Sequence, residues 1–153
     1  MLYEQVQAAV EGAIKQSSAD VIQELGIEPL CNKLLAIPEQ IRELQDQMAE
    51  AQKEVEKAKS DVELEKSIIT AAVTSETNGN GKPVFSNEKA RSAEITRRMA
   101  VDQDYLAAKE ALAKAEEQVA NLKFDIDRLY SEMANLRVVV SARAAQVQAL
   151  FGN

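Results

Sequence analysis

Apolar residues recur at spacings of three and four along nearly the whole chain, the period of one helix face rather than the alternation of a strand. Leu2, Val6, Ala9, Val10, Ala13 and Ile14 form one such stripe and predict a helix from about Leu2 to Gln16. Asp20 fits an N-cap and Gly26 a stop, so a short second piece is expected between them. Pro29 suits the first turn of another short piece reaching Ala36, and Pro38 is expected to restart the chain. From there the pattern is heptad. Ile41, Met48, Val55, Val62 and Ile69 hold one core position, and Leu44, Ala51, Ala58, Glu65 and Ala72 hold the other, with Glu65 breaking the seam.

The run Asn78-Gly79-Asn80-Gly81-Lys82-Pro83 is the strongest punctuation in the chain. After it, Ser86 or Asn87 as N-cap and Glu88 in the first turn predict a helix running unbroken to about Leu150, with no Pro or Gly inside. Its seam reads Val101, Tyr105, Ala108, Leu112, Ala115, Val119, Leu122, Ile126, Leu129, Met133, Leu136, Val140, Arg143, Val147 and Leu150. Arg143 is its one charged position, and either sets the register or pairs with an acid such as Glu4 or Glu11.

Together these elements predict an all-α protein forming one folding unit. Residues 38–153 are expected to form a long antiparallel coiled-coil helical hairpin with its turn at about 76–86. Residues 1–37 are expected to form a small head of short helices packed on the C-terminal end of the long helix. A turn centred near residue 81 puts Val55 near Ala108, Met48 near Ala115 and Leu44 near Val119. The second arm outruns the first, leaving Leu129, Met133, Leu136, Val140, Val147 and Leu150 as a stripe the first arm does not reach. Burying such side chains is worth about 1.5–3 kcal/mol each, so either the N-terminal head or a second copy should cover them. A homo-oligomer is therefore expected.

Composition narrows the chemistry. The chain of 153 residues has no His, one Cys, five Gly and three Pro, which removes histidine acid–base schemes, Cys/His metal sites and a disulfide framework. Cys31, in Leu30-Cys31-Asn32-Lys33, reads as a small buried hydrophobe. The Asn-Gly run lacks the glycine spacing of a phosphate loop, and Pro83 stands where Ser or Thr would follow Lys82, so it reads as a hairpin tip. Asp102/Asp104 and Asp125/Asp127 are two apart on a helix and do not share a face. These features predict a non-enzymatic protein with no cofactor and no metal.

Charge sharpens the question of partners. The net charge is −7, yet residues 77–153 alone sum to +1. Lys82, Lys89, Arg91, Arg97 and Arg98 gather at the predicted tip, a candidate phosphate or partner contact set among carboxylates. No apolar run approaches a membrane span, and a basic leader followed by an apolar stretch is missing, so a cytoplasmic protein without membrane contact is expected.

The stretch Gly81-Lys82-Pro83-Val84-Phe85-Ser86-Asn87-Glu88-Lys89-Ala90-Arg91, followed by Arg97-Arg98-Met99, Asp104-Tyr105 and Asn121-Leu122, resembles small coiled-coil proteins encoded by bacteriophages and prophages. The resemblance spans roughly residues 79–136 and carries over Asn87, Arg91 and Tyr105. It implies an accessory factor in DNA replication or recombination. The alternatives are an oligomeric structural adaptor without nucleic-acid contact, and a prefoldin-like holdase gripping clients through Val84 and Phe85 at the tip.

Overall fold

The computed structural model describes residues 2–151, which form four helices: α1 (Leu2–Glu24), α2 (Ile27–Ser75), α3 (Glu88–Met99) and α4 (Gln103–Phe151). Among the described residues there is no strand, and the one isolated β-bridge joins Thr77 to Pro83. No helix is long and apolar enough to cross a membrane. The chain divides into two compact units, residues 1–44 with 125–153, and residues 45–124.

In the first unit the expected run of short helices is replaced by two long ones. α1 continues past Gln16 to Glu24, with Gly12 inside it, and ends at Gly26, whose φ of 60° is a conformation that side-chain-bearing residues resist. α2 starts at Ile27 and runs through Pro38 without ending. Proline there forfeits the bond to the Leu34 carbonyl, but Ile37 and Ile41, on either side, are only 1% and 5% exposed. Burial of both isoleucines, together with Ile126 and Leu129 of α4, holds the helix through the defect.

The N-terminal region lies against the C-terminal end of α4 as the end of α1 and the first part of α2, and not as the expected run of short helices ending at residue 37. The first part of α2 reaches the stripe itself, since Lys33 pairs with Glu132 at 2.5 Å. The last turn of α1 and the residue after it add Val21, Glu24 and Leu25, which share a groove with Gln146, Ala149 and Leu150. Every residue from Tyr3 to Ser17 is exposed, so most of α1 packs on nothing in the unit. The side chain of Leu2, which belongs to the same stripe in the sequence, lies outside the described residues.

In the second unit the seam is set by Ala51, Val55, Ala58, Ile69 and Val73, all buried. Ala51 and Ala58 are small enough for close helix approach. Ala72 is exposed and Val73 is buried, so the seam steps by four twice in succession, from Glu65 to Ile69 and from Ile69 to Val73. Such a stutter locally changes the winding of a heptad seam. Along α4, every expected seam position from Tyr105 to Val147 is less exposed than its neighbours across the face, whereas Val101 and Leu150 stand out at 64% and 66%.

Val101 is exposed because the second long helix is not continuous. It breaks at residues 100–102, contrary to the sequence expectation. The Arg98 carbonyl accepts from the backbone N–H of both Val101 and Asp102, and the Asp102 carboxylate accepts from the Tyr105 N–H at 2.8 Å. Asp102 is thus an N-cap for α4, offering the backbone an alternative to continued helix.

The pairing offset differs as well. Val55 shares a groove with Glu116 and Val119 rather than with Ala108, and Ala58 with Ala111 and Ala115. The same offset pairs Arg98 with Glu76. The turn itself is tight and centred close to residue 80, with Thr77 bridged to Pro83, the Asn78 N–H donating to the Lys82 carbonyl at 2.8 Å and the Val84 N–H to the Glu76 carbonyl at 2.9 Å, so the offset arises after it, between residues 85 and 102. Asn78 organises this turn: its side chain accepts from the N–H groups of Asn80 and Lys82, both at 3.0 Å, and Gly81 takes a φ of 72°.

Candidate functional site

The five cations singled out in the sequence all lie in the second unit, around the 76–87 connection and α3. Asn87 caps α3, its side-chain oxygen accepting from the Ala90 N–H at 2.8 Å. This fixes the direction in which the helix throws its side chains. Arg91 turns back to donate to the Phe85 carbonyl at 3.3 Å, fastening α3 to the connection before it.

Glu94 is the organising acid. Arg97 forms two bonds to it, Nε to Oε2 at 2.8 Å and Nη2 to Oε1 at 2.7 Å, the fork geometry that guanidinium and carboxylate share. Arg98 donates from Nε to the same Oε1 at 2.7 Å and from Nη2 to Glu76. One arginine side chain thus ties α3 to the residue following α2. Lys82 and Lys89 are exposed and form no ion pair among the described residues. The structure brings Arg97 and Arg98 together but commits both to carboxylates, leaving two lysines rather than five cations free toward solvent.

The electrostatics follow from these bonds. The hydrogen bonds from Arg97 and then Arg98 hold the Glu94 carboxyl at about 2, below its ordinary value of 4.5. A carboxyl lowered in the folded state contributes stability that is present above its ordinary range and is lost as pH falls from about 4.5 to about 2. Carbon-detected NMR of Glu94 should therefore show a midpoint near 2, returning toward 4.5 when Arg97 and Arg98 are both replaced by alanine. A midpoint that stays low in the double variant would show that these arginines are not its cause. The remaining pairs, such as Lys114 with Glu110 at 2.6 Å, join exposed side chains and contribute little.

The other sequence candidates fall in the first unit. Leu129 is buried, Met133, Leu136, Val140 and Val147 are half-buried, and Leu150 is exposed. Arg143, the charged seam position, lies beside Gly26, where a Cβ would stand in ordinary van der Waals contact with its Nη1 at 3.7 Å, so it is the φ of 60° and not crowding that calls for glycine there. Cys31 is a free, half-buried thiol. Among the described residues, no group of three His, Cys, Asp or Glu side chains is placed to hold a metal ion. Of the positions carried over from the bacteriophage resemblance, Asn87 caps, Arg91 fastens, and Tyr105 receives the Asp102 cap with Lys109 Nζ 6.0 Å from its ring centre.

Sequence reasoning misses two surfaces. One is the exposure of the α1 stripe, missed because the sequence expects that helix to belong to a head packed on the C-terminal end of the long helix. The other is a set of exposed apolar side chains in the second unit, Leu64, Ile68, Val101 and Leu106, which join Val84. The spacing assigns Val101 to the seam, and only the Asp102 cap, an acid three residues before an apolar run, signals otherwise. The chain matches no protein-family model, no curated protein and no solved structure.

Proposed function

We propose that this protein is a non-enzymatic adaptor, an antiparallel coiled-coil hairpin that works by presenting helix faces to protein partners and makes no functional contact with nucleic acid. The observation that carries this reading is α1, where Tyr3, Val6, Val10 and Ile14 stay 52–80% exposed along one helix. A face of that kind is what a helix-recognising partner buries. The commitment of Arg97 and Arg98 to Glu94 and Glu76 supports the absence of DNA binding, because phosphate affinity grows with the number of cations free to neutralise phosphates. The net charge of −7 points the same way.

A mobility-shift titration with short duplex and single-stranded DNA tests the reading. No shift is expected at low or physiological salt, and changing Arg91, Arg97 and Arg98 to Glu should alter nothing in the assay. A salt-sensitive shift abolished by those changes would instead establish the accessory role in DNA metabolism that the bacteriophage resemblance implies. A second reading, a holdase that grips unfolded clients, gains support from Leu64, Ile68, Val84, Val101 and Leu106, which broaden the apolar surface of the second unit beyond Val84 and Phe85. Suppression of a client's aggregation, weakened by Ile68→Lys and Val101→Lys, is its signature.

A further inference from the structure

We propose that Asn78 is a site of spontaneous covalent modification, losing its side-chain amide through a cyclic imide closed by the Gly79 nitrogen. The reaction needs no partner and is independent of the adaptor role. Asparagine is a labile residue, and a following glycine leaves the attacking backbone nitrogen unscreened. Both Asn-Gly pairs of the chain, Asn78-Gly79 and Asn80-Gly81, stand in the exposed turn after α2. The geometry separates them. The Gly79 N–H has no partner among the described residues, whereas the Gly81 N–H donates to the Asn78 carbonyl at 2.9 Å, which opposes loss of its proton. The Asn78 side-chain oxygen accepts from the N–H groups of Asn80 and Lys82, both at 3.0 Å. Bonding to the residue two ahead folds the Asn78 amide forward over the Gly79 nitrogen. Two donors on its oxygen also stabilise the negative charge which that oxygen acquires during attack. Among the described residues, no such bond reaches the side chain of Asn80.

In the reaction the Gly79 nitrogen gives its proton to hydroxide and bonds to Asn78 Cγ, whose oxygen carries the charge toward the N–H groups of Asn80 and Lys82. The bond from Cγ to Nδ2 then breaks, Nδ2 takes a proton from water, and ammonia leaves the imide behind. Water adds to one of the two imide carbonyls. Opening at Cγ gives aspartate, and opening at the backbone carbonyl gives isoaspartate, with the main chain routed through Cβ and Cγ. In all, a water is consumed and an ammonia released. Aspartate keeps both acceptor bonds and sets a carboxylate in the turn beside Lys82, one of the two cations free toward solvent. Isoaspartate adds a methylene to the backbone, which disturbs the bond from the Asn78 N–H to the Lys82 carbonyl and the bridge from Thr77 to Pro83. The tip thus changes in charge and in shape as the protein ages.

Peptide mapping by mass spectrometry, on full-length protein held at mildly alkaline pH, reads each asparagine separately. Asn78 should gain about one dalton, as a mixture of aspartate and isoaspartate. Asn80 should lag behind it by about tenfold in the folded protein, and the two rates should converge when the chain is unfolded in urea. Gly79→Val should slow the reaction at Asn78 by about tenfold or more by crowding the nitrogen. The turn accepts that change, since a Cβ at Gly79 meets nothing within 4 Å and positive φ falls at Gly26 and Gly81 instead. Equal rates at Asn78 and Asn80 in the folded protein, or an Asn78 left intact over a period that converts the unfolded chain, overturns the proposal.

Discussion

Replacing Ile37 by alanine should lower the stability of the protein by about 2–5 kcal/mol, the largest loss expected of any single truncation in the chain. Ile37 is only 1% exposed and stands directly before Pro38, where α2 lacks a backbone bond. Truncation there removes the transfer free energy of the side chain, leaves a cavity, and weakens the packing that carries the helix through the proline. Urea unfolding followed by circular dichroism measures it. A loss below about 1 kcal/mol would mean that the residue is not enclosed, and that Pro38 is bridged by something other than this packing.

Glu65→Leu should act in the opposite direction and stabilise the protein by about 1 kcal/mol. Glu65 occupies a half-buried seam position between Val62 and Ile69 and forms no ion pair among the described residues. An apolar side chain completes the stripe, and the gain falls below the value for full burial because the site is partly open. The same urea titration reads it out. A loss instead of a gain would show that Glu65 faces a polar environment and that the seam runs elsewhere.

The seams are legible in the sequence because burial on a helix face leaves a period that local chemistry does not mimic. Each expected seam residue from Tyr105 to Val147 lies on the less exposed face of α4, including the charged Arg143. What stays hidden are features whose signals have two meanings. Pro38 ends most helices, and here tertiary burial of its neighbours overrides it. Asp102 looks like any surface acid inside a helix, yet its carboxylate caps Tyr105 and ends the continuity. The offset between the helices escapes turn arithmetic, which assumes one continuous helix after the turn, whereas the turn closes at once at Thr77 and Pro83 and the chain then forms α3 and breaks at residues 100–102 before α4.

The candidate site is legible as a set of cations and not as a surface. Residue counting sets Glu94 three and four residues before Arg97 and Arg98 on one helix face, but it does not reveal that Arg98 also reaches Glu76, a bond that depends on where α3 docks. The stripe on α1 is plain in the sequence, but its exposure follows only from α2 beginning at Ile27.

The chemistry of the tip depends on the register of the second unit, which places Arg98 at Glu76. Nuclear Overhauser contacts in methyl-labelled protein read that register without intermediate steps. A cross-peak is predicted between the methyl groups of Val55 and Val119, with none between Val55 and Ala108, positions that differ by about 16 Å along a helix. A cross-peak from Val55 to Ala108, with none to Val119, would refute it.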